Sequence, residues 1–244
     1  MLFRSQAALL GVLGHLEVGD DGWDELGGER DSLFLQQLTP VKLSQMPYHT
    51  ATDNRVAGVP TLIARTGYTG EDGFELFFPR EKAVMLWDQI NKVGAPLGLK
   101  PIGLAARDSL RFEARMPLYG QEIGAHLNPL QAGLGWAVSF DKGDFVGRNA
   151  LLKAKLEGSP NRLVGLEMVE RGVPRHGYPV AVNGKVVGEV TTGMFAPTLG
   201  KYLALAYVPR AQAALGSEVE VVIRNEGKKA RVVKTPFYTP AYRR

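Results

Sequence analysis

The sequence has 244 residues, which is enough for two compact domains, and its 45% hydrophobic and 22% charged residues are ordinary for a globular protein. Because it has no cysteine, disulfides, thiol nucleophiles and thiolate metal sites are excluded, and its four scattered histidines lack metal-site spacing, so we predict no metal site. No apolar run approaches the roughly 18 residues that cross a bilayer, so we predict no membrane span.

The net charge of +4 is distributed unevenly, and residues 201–244 contain nine Lys and Arg against three Glu. A basic end can attract nucleic acid. These cations, however, lie within alternating strand patterns, which favour a solvated sheet face. An anionic ligand or an acidic partner protein is equally compatible with them, and we predict no nucleic-acid partner.

The first part of the chain mixes helical and strand patterns. Residues 19–31 are rich in Gly and Asp and predict a loop. The elements predicted after it are, in chain order, a helix Ser32–Thr39 capped by Ser32, a strand Val59–Ala64, a strand Phe74–Phe78, a helix Glu81–Val93 and a helix Gly103–Glu113. The two strands flank a Gly-rich turn, which is typical of a hairpin.

The later part of the chain changes character after about residue 155. Six short strands follow one another, separated by turns: Arg162–Met168, Pro179–Val182, Lys185–Thr192, Tyr202–Val208, Glu218–Ile223 and Lys229–Val233. Asn183-Gly184 is a strong two-residue hairpin signal. The pattern predicts a small antiparallel barrel or sandwich, and the polar segment Glu157–Asn161 predicts the boundary between domains 1–157 and 158–244.

Arg65–Glu75 is the first segment that could carry chemistry. Its three glycines allow close backbone approach, and around them stand an aromatic ring, two threonines and three acids. Tyr68 could stack on a planar ring, and Glu75 could accept two hydrogens from an amino-pyrimidinone edge, where both groups are donors. From composition alone, a plain hairpin turn with solvated acids is the stronger alternative.

The predicted helix Gly103–Glu113 is the second such segment. Arg107 and Arg111 share a face at i, i+4, while Asp108 and Arg111 can pair at i, i+3. One inward arginine could hold a carboxylate or a carbonyl of a ligand, and a structural ion pair is an equal alternative. In a third segment, Asn128–Val138, small residues precede Trp136, which we expect in the core rather than on a ligand.

Six segments in this order resemble the aminomethyltransferase family typified by the glycine cleavage system T-protein. They are Arg65–Glu75, Gly103–Glu113, Tyr119–Ile123, Asn128–Val138 with Asp141–Arg148, Gly188–Gly193 and Ala196–Lys201. The resemblance runs from about Val59 to Val208, with weaker agreement to the end. It implies an α+β fold, in which a remnant of the family's folate-binding α+β domains precedes a small C-terminal antiparallel β-barrel.

The resemblance also implies a function. Members of the family take the aminomethyl group from the lipoylated carrier (H) protein of the glycine cleavage system, release ammonia and pass the carbon to tetrahydrofolate; a cytoplasmic location is expected. Tyr68 and Glu75 correspond to folate-contacting residues, and Arg107 to a third substrate-binding residue. Tyr242 corresponds to another, in a local pattern that departs from the family's.

The start of the sequence departs from the family. The family's catalytic Asp lies in a region ahead of the hairpin that has no counterpart here, and Asp20, Asp21 and Asp24 come too late to replace it. We therefore expect an N-terminally truncated chain whose own activity is in doubt. Two alternatives are a non-catalytic folate-binding relative, whose usual cysteine signature is missing, and the folate module of an enzyme that demethylates N-methylglycines.

Overall fold

The structure is a computed structural model, and it describes residues 8–12, 15–19 and 34–239. By their contacts, these residues form two compact units. Unit 1 ends at Ala114 and also takes in Thr239, and unit 2 is Arg115–Tyr238. The domain boundary predicted within Glu157–Asn161 stays a prediction.

Unit 1 contains a five-stranded sheet in which every neighbouring pair is antiparallel. Its strands, in chain order, are β1 (Ala8–Val12), β2 (His15–Gly19), β3 (Ala51–Val56), β4 (Val59–Ala64) and β5 (Gly73–Phe77), and their spatial order is β1-β2-β5-β4-β3. The predicted hairpin is confirmed, since β4 pairs with β5.

The edge strand β3 was not predicted from the sequence. Its central residues are polar, and only Val56 at its end is buried. A short turn through Ala57 and Gly58, both with positive φ, joins β3 to β4 and pairs Val56 with Val59. The strand therefore forms through its backbone ladder, although its side chains lack the apolar alternation that marks a half-buried strand.

Two helices complete unit 1: α1 (Ala83–Gly94), which follows a single 3-10 turn at Arg80–Lys82, and α2 (Leu104–Glu113). Both match predicted helices within two residues at each end. The helix predicted at Ser32–Thr39 is shorter, because only residues 34–36 of its described part are helical, and Ser32 lies outside the described residues. There the Gln36 side chain bonds the backbone of three residues beyond the helix (Thr39, Val41 and Leu43), which holds the chain in a turn.

The core of unit 1 combines strand and helix side chains. The buried residues of its cluster include Leu35, Ile63, Leu76, Leu86 and Ile90, each with no exposed surface. Burial of a Leu or Ile side chain contributes about 1.5–3 kcal/mol. The sheet and α1 therefore share one buried core.

Unit 2 is built on a closed barrel. After α3 (Arg148–Glu157) come β6 (Asn161–Met168), β7 (Pro179–Val182), β8 (Lys185–Ala196), β9 (Lys201–Pro209), β10 (Glu218–Ile223) and β11 (Glu226–Val233). They close in the order β10-β11-β6-β9-β8-β7, and all neighbours are antiparallel. The six predicted strands and the α+β class, with a C-terminal antiparallel barrel, are confirmed.

The Asn183-Gly184 turn has the geometry that its residues predict. Both residues have positive φ, at 51° and 74°, and the flanking Val182 and Lys185 are paired across β7 and β8. Two successive residues with positive φ define the hairpin turn whose twist matches that of its strands.

Across the described parts of the chain, no helix has the length and the apolar character needed to cross a membrane.

Candidate functional site

The turn between β4 and β5 is closed by an ion pair at its two ends. The Arg65 guanidinium donates to both carboxylate oxygens of Asp72, at 2.6 and 3.0 Å, and also to the Met46 carbonyl at 2.6 Å. The guanidinium carbon lies 4.2 Å from the centre of the Tyr48 ring. The hydrogen bonds that Arg65 donates to Asp72 raise the pKa of Arg65, so this bidentate clamp is charged at every physiological pH.

Gly70 brings the same turn against the end of α2. Its φ is +80°, and a Cβ at this position would lie 2.4 Å from the Cβ of Ala114. Any side chain here would therefore both strain the backbone and push the turn away from the helix. The glycine is required for the close approach of turn and helix.

Helix α2 places its two arginines in different surroundings. Arg111 is fully buried, and its Nη2 lies 2.7 Å from Asp108, which confirms the predicted i, i+3 pair. Arg107, one turn earlier, is half-buried, and its guanidinium carbon lies 4.2 Å from the centre of the Tyr68 ring. A cation at this distance from an aromatic face is attracted by the ring, so Tyr68 and Arg107 form a contact pair between turn and helix.

Glu75 lies at the middle of β5, opposite Ala64 of β4 and Glu17 of β2. The carboxylate is half-buried and accepts a hydrogen bond from the Thr66 hydroxyl, across the turn. A carboxylate can accept about four hydrogen bonds. The Thr66 contact therefore orients Glu75 and occupies one of these acceptor positions.

The predicted site residues are thus partly assembled in the structure. Tyr68 and Arg107 meet directly, and Glu75 follows the same turn with Thr66 as its partner. Tyr242 lies outside the described residues. The roles of these four residues in binding stay predictions. Sequence reasoning missed Thr66 as a partner of Glu75, although a hydroxyl in a hairpin turn and a carboxylate on the strand that follows it are a recognisable combination.

The prediction that Trp136 belongs to the core is wrong, because its side chain is 85% exposed. It lies in a short 3-10 turn, Gly135–Ala137, within unit 2. The turn before it is closed by reciprocal bonds, in which the backbone N–H of Asn128 and of Gln131 each donates to the other residue's side chain. Ala132 is the buried residue of this segment, so small residues pack and the large ring is left outside.

Unit 2 contains a second carboxylate in a different setting. Glu122 is fully buried and accepts hydrogen bonds from the hydroxyls of Thr191 at 2.7 Å and Thr192 at 2.5 Å, and from the backbone N–H of Leu118 at 3.0 Å. Its own backbone carbonyl accepts a bond from the Tyr207 hydroxyl at 2.8 Å. These contacts fasten the 118–123 loop to the barrel strands β8 and β9.

Two ionisable side chains beside Glu122, Tyr207 and Arg115, have pKa values that burial shifts. Burial, together with the negative charge of Glu122, raises the pKa of Tyr207 to about 12. Burial lowers the pKa of Arg115, whose Nε is a buried atom without a hydrogen-bond partner among the described residues. Glu122 and Tyr207 therefore hold the 118–123 loop to the barrel strands. No group of three or more His, Asp and Glu side chains able to hold a metal ion occurs in the described ranges.

Fold and site together define a two-part protein in which an α+β unit with a clamped, glycine-dependent turn precedes a closed six-stranded barrel. Two family models match this chain: the GCVT N-terminal domain over residues 26–142 and the glycine cleavage T-protein C-terminal barrel domain over residues 161–239. The chain therefore belongs to the glycine cleavage T-protein family, the aminomethyltransferases.

Individual relatives agree with the family models. The chain is 57% identical over 223 residues to an aminomethyltransferase of Symbiobacterium thermophilum. The aligned region covers 90% of this chain and 60% of the relative. It is 50% identical over 218 residues to one of Caldanaerobacter subterraneus, covering 89% of this chain and 58% of the relative. The crystal structure of the glycine cleavage system aminomethyltransferase T from Bartonella henselae superposes with a TM-score of 0.80, at 30% identity, over 92% of this chain and 60% of that one. The chain thus spans about 60% of the length of these relatives.

Proposed function

We propose that this chain carries the folate-binding part of an aminomethyltransferase, in which Tyr68, Glu75 and Arg107 contact tetrahydrofolate. The observation that carries the proposal is the contact between Tyr68 and Arg107, 4.2 Å from ring centre to guanidinium carbon, on the turn that leads into Glu75. The names of the relatives favour this reading over a non-catalytic folate binder or a demethylating module.

Glu75 supplies the chemistry that a pterin edge requires. An amino-pyrimidinone presents an amino group and a ring N–H side by side, and both are donors, so a carboxylate can accept from the two together. Glu75 is half-buried and is oriented by the Thr66 hydroxyl. A held carboxylate loses less conformational entropy on binding than one that is free to rotate.

Tyr68 and Arg107 supply the second contact. The Tyr68 ring offers a planar surface and a hydroxyl, and the Arg107 guanidinium beside it can donate to a carbonyl or a carboxylate of the ligand. Tyr242 is proposed as a further ligand contact on the strength of the family resemblance.

The reaction that we propose for the family protein balances without a metal or an external oxidant. The aminomethyl carbon leaves the sulfur of the lipoylated carrier protein and becomes a methylene bridge between two folate nitrogens. The two folate nitrogens release two hydrogens. One restores the thiol of the carrier, and the other joins the departing amino group to give ammonia. The lipoylated carrier protein of the glycine cleavage system is therefore the proposed partner, and the cytoplasm the proposed location.

We further propose that turnover depends on the part of the relatives' length that has no counterpart in this chain. The catalytic Asp of the family has no equivalent that we recognise in the sequence. Binding side chains and the reacting acid would then be supplied by different parts of the complete enzyme.

Isothermal titration with tetrahydrofolate tests this proposal. The chain alone should bind weakly or not at all, and a chimera completed with the remaining part of the Symbiobacterium relative should bind and should turn over aminomethylated carrier protein. In the chimera, Glu75→Ala should cost about 1–3 kcal/mol of folate affinity, since hydrogen bonds to a charged group are lost. Glu81→Ala, an exposed glutamate of the same unit, is the matched control and should change nothing.

Three results would contradict parts of the proposal. Unchanged affinity in the Glu75 variant would assign that side chain a structural role. Tight folate binding by the chain alone would show that its pocket is complete. Turnover by the chain alone would show that the catalytic acid lies within these residues.

A further inference from the structure

A cavity lies wholly within unit 2, between the end of α3 and the start of the barrel. Its volume is about 380 Å³, and its walls include Leu130, Lys155, Ser159, Arg162 and Arg210. Three of these side chains are cations, and no Asp or Glu lines the cavity. The cavity is large enough for an organic anion and is lined as an anion site would be.

The strand register explains why two of the cations are together. β6 and β9 are antiparallel, with Arg162 opposite Val208 and Asn161 opposite Pro209, and the backbone N–H of Arg210 bonds the Pro160 carbonyl at 2.9 Å. Pro160 directly precedes β6 and Arg210 directly follows β9, in the 3-10 turn Arg210–Gln212, so Arg162 and Arg210 lie near the same end of the β6–β9 pair and both line the cavity. Both arginines are exposed, so water solvates their charges, and their shared lining of one cavity concentrates positive charge there.

The guanidinium of Arg210 lies against Gly158. A Cβ on Gly158 would lie 2.4 Å from Nη1 of Arg210, so this guanidinium lies directly over the glycine backbone. Gly158 also has a φ of +79°, which disfavours other residues there. The chain thus has a local geometry that leaves room for a guanidinium group at the mouth of the cavity.

The part of the chain that the structure describes supplies no counter-charge to these three exposed cations, so a bound anion would replace water rather than a protein partner. Among the described residues, no carboxylate forms an ion pair with Lys155, Arg162 or Arg210, and the only recorded partner of Lys155 is the Phe140 ring, 4.7 Å from its Nζ. A fourth cation, Arg115, is close enough to feel the charge of Arg162. Burial lowers the pKa of Arg115, and the positive charge of Arg162 lowers it further. The C-terminal carbonyls of α3 can offset part of one positive charge, but not three.

We propose that this cavity binds a small multivalent oxyanion, a phosphate or a polycarboxylate, between the guanidinium groups of Arg162 and Arg210, with Lys155 on the third side. Guanidinium groups bind both classes of oxyanion through paired N–H donors. Leu130 and the stem of Lys155 provide an apolar wall for the carbon part of an organic ligand.

Titration calorimetry on the full chain at constant ionic strength tests the proposal, with inorganic phosphate, citrate and chloride as probes. Phosphate or citrate should bind and chloride should not. Tighter binding of phosphate would indicate a phosphorylated ligand, and tighter binding of citrate would indicate a polycarboxylate. R162Q/R210Q should weaken binding at least about tenfold, since two charge-assisted contacts are lost. R171Q/R175Q, which removes two exposed arginines of the same unit, is the matched control and should bind as the parent does.

Two results would overturn the proposal: no saturable binding of either multivalent anion, or equal loss of affinity in the two double variants. The parent chain supplies a test that needs no variant. The methyl resonances of Leu130 should shift during the titration, and unchanged Leu130 signals in the presence of a bound anion would place the anion elsewhere.

Discussion

Glu75 and Glu122 are two carboxylates that both accept hydrogen bonds from threonine hydroxyls, in two different parts of the molecule. Glu75 is half-buried and has one such hydroxyl, from Thr66. Glu122 is fully buried and has two, together with a backbone N–H. In unit 1 this pairing orients the side chain that we propose as a ligand contact, and in unit 2 it fastens a loop to the barrel.

The difference shows that burial, rather than residue type, separates a structural carboxylate from one that can serve a ligand. A buried carboxylate must have its acceptor capacity satisfied by the protein, because water cannot reach it. A half-buried one keeps capacity for an exchangeable partner. Stability should therefore depend strongly on Glu122, and ligand affinity on Glu75.

The largest effect is expected for Glu122→Ala. The Leu118 N–H would lose its acceptor, and the Thr191 and Thr192 hydroxyls would lose their bonds to the carboxylate and keep the Leu205 carbonyl and the Gln121 side chain as acceptors. Hydrogen bonds to charged groups contribute about 1.5–3 kcal/mol each, so we expect a loss of about 3 kcal/mol or more. Urea denaturation measures it. Glu167→Ala, in which an exposed pair with Lys201 is removed, is the control and should cost about 1 kcal/mol or less. Equal losses in the two variants would contradict the structural role of Glu122.

Gly70→Ala tests the close approach of turn and helix in unit 1. Positive φ and contact with Ala114 both oppose a Cβ, and we expect a loss of about 2–3 kcal/mol in thermal or urea unfolding. Gly98→Ala separates the two causes, because Gly98 has a φ of +92° with nothing near its Cβ position, and should cost only about 1 kcal/mol. If the two variants lose the same stability, the turn does not depend on contact with α2.

Tyr207→Phe should have a smaller effect. The variant loses one hydrogen bond to the Glu122 carbonyl, which contributes about 1 kcal/mol, while the ring keeps its packing. Urea unfolding of the variant beside the parent measures the difference. A neutral result would mean that the Glu122 side chain alone holds the loop.

The same tyrosine predicts a dependence on alkaline pH. The pKa of Tyr207 is raised from 10 to about 12 in the folded protein, so the fold holds the proton more tightly than the unfolded chain does. Its stabilising contribution is complete below pH 10 and is lost as the pH rises from 10 towards 12. Unfolding free energies across this range should fall more steeply for the parent than for Tyr207→Phe, and parallel curves would contradict the shift.

Much of the fold could be predicted from the sequence, because its elements have local signals. The six barrel strands alternate and are separated by turn residues such as Asn183-Gly184, and α1 and α2 have helical periods. β3 could not be predicted, since its side chains are polar and its pairing is carried by the backbone. The exposure of Trp136 depends on a turn whose hydrogen bonds are invisible in composition.

The site was predictable to a similar extent. Tyr68, Glu75 and Arg107 were predicted by resemblance and by the chemistry of their side chains, and their binding roles stay predictions. The contact of Tyr68 with Arg107 depends on the position of Gly70 against Ala114, which only the folded chain defines. The network around Glu122 joins residues about 70 positions apart, so no local pattern could reveal it.

Paired measurements on Glu75→Gln in the completed chimera test the central claim most directly. Glutamine keeps the size of the side chain but replaces one acceptor oxygen with a donor, so tetrahydrofolate affinity should fall about tenfold or more. The urea midpoint should change little, because Glu75 is only half-buried. Unchanged affinity together with a marked loss of stability would contradict the account and would place Glu75 with Glu122 among the structural carboxylates.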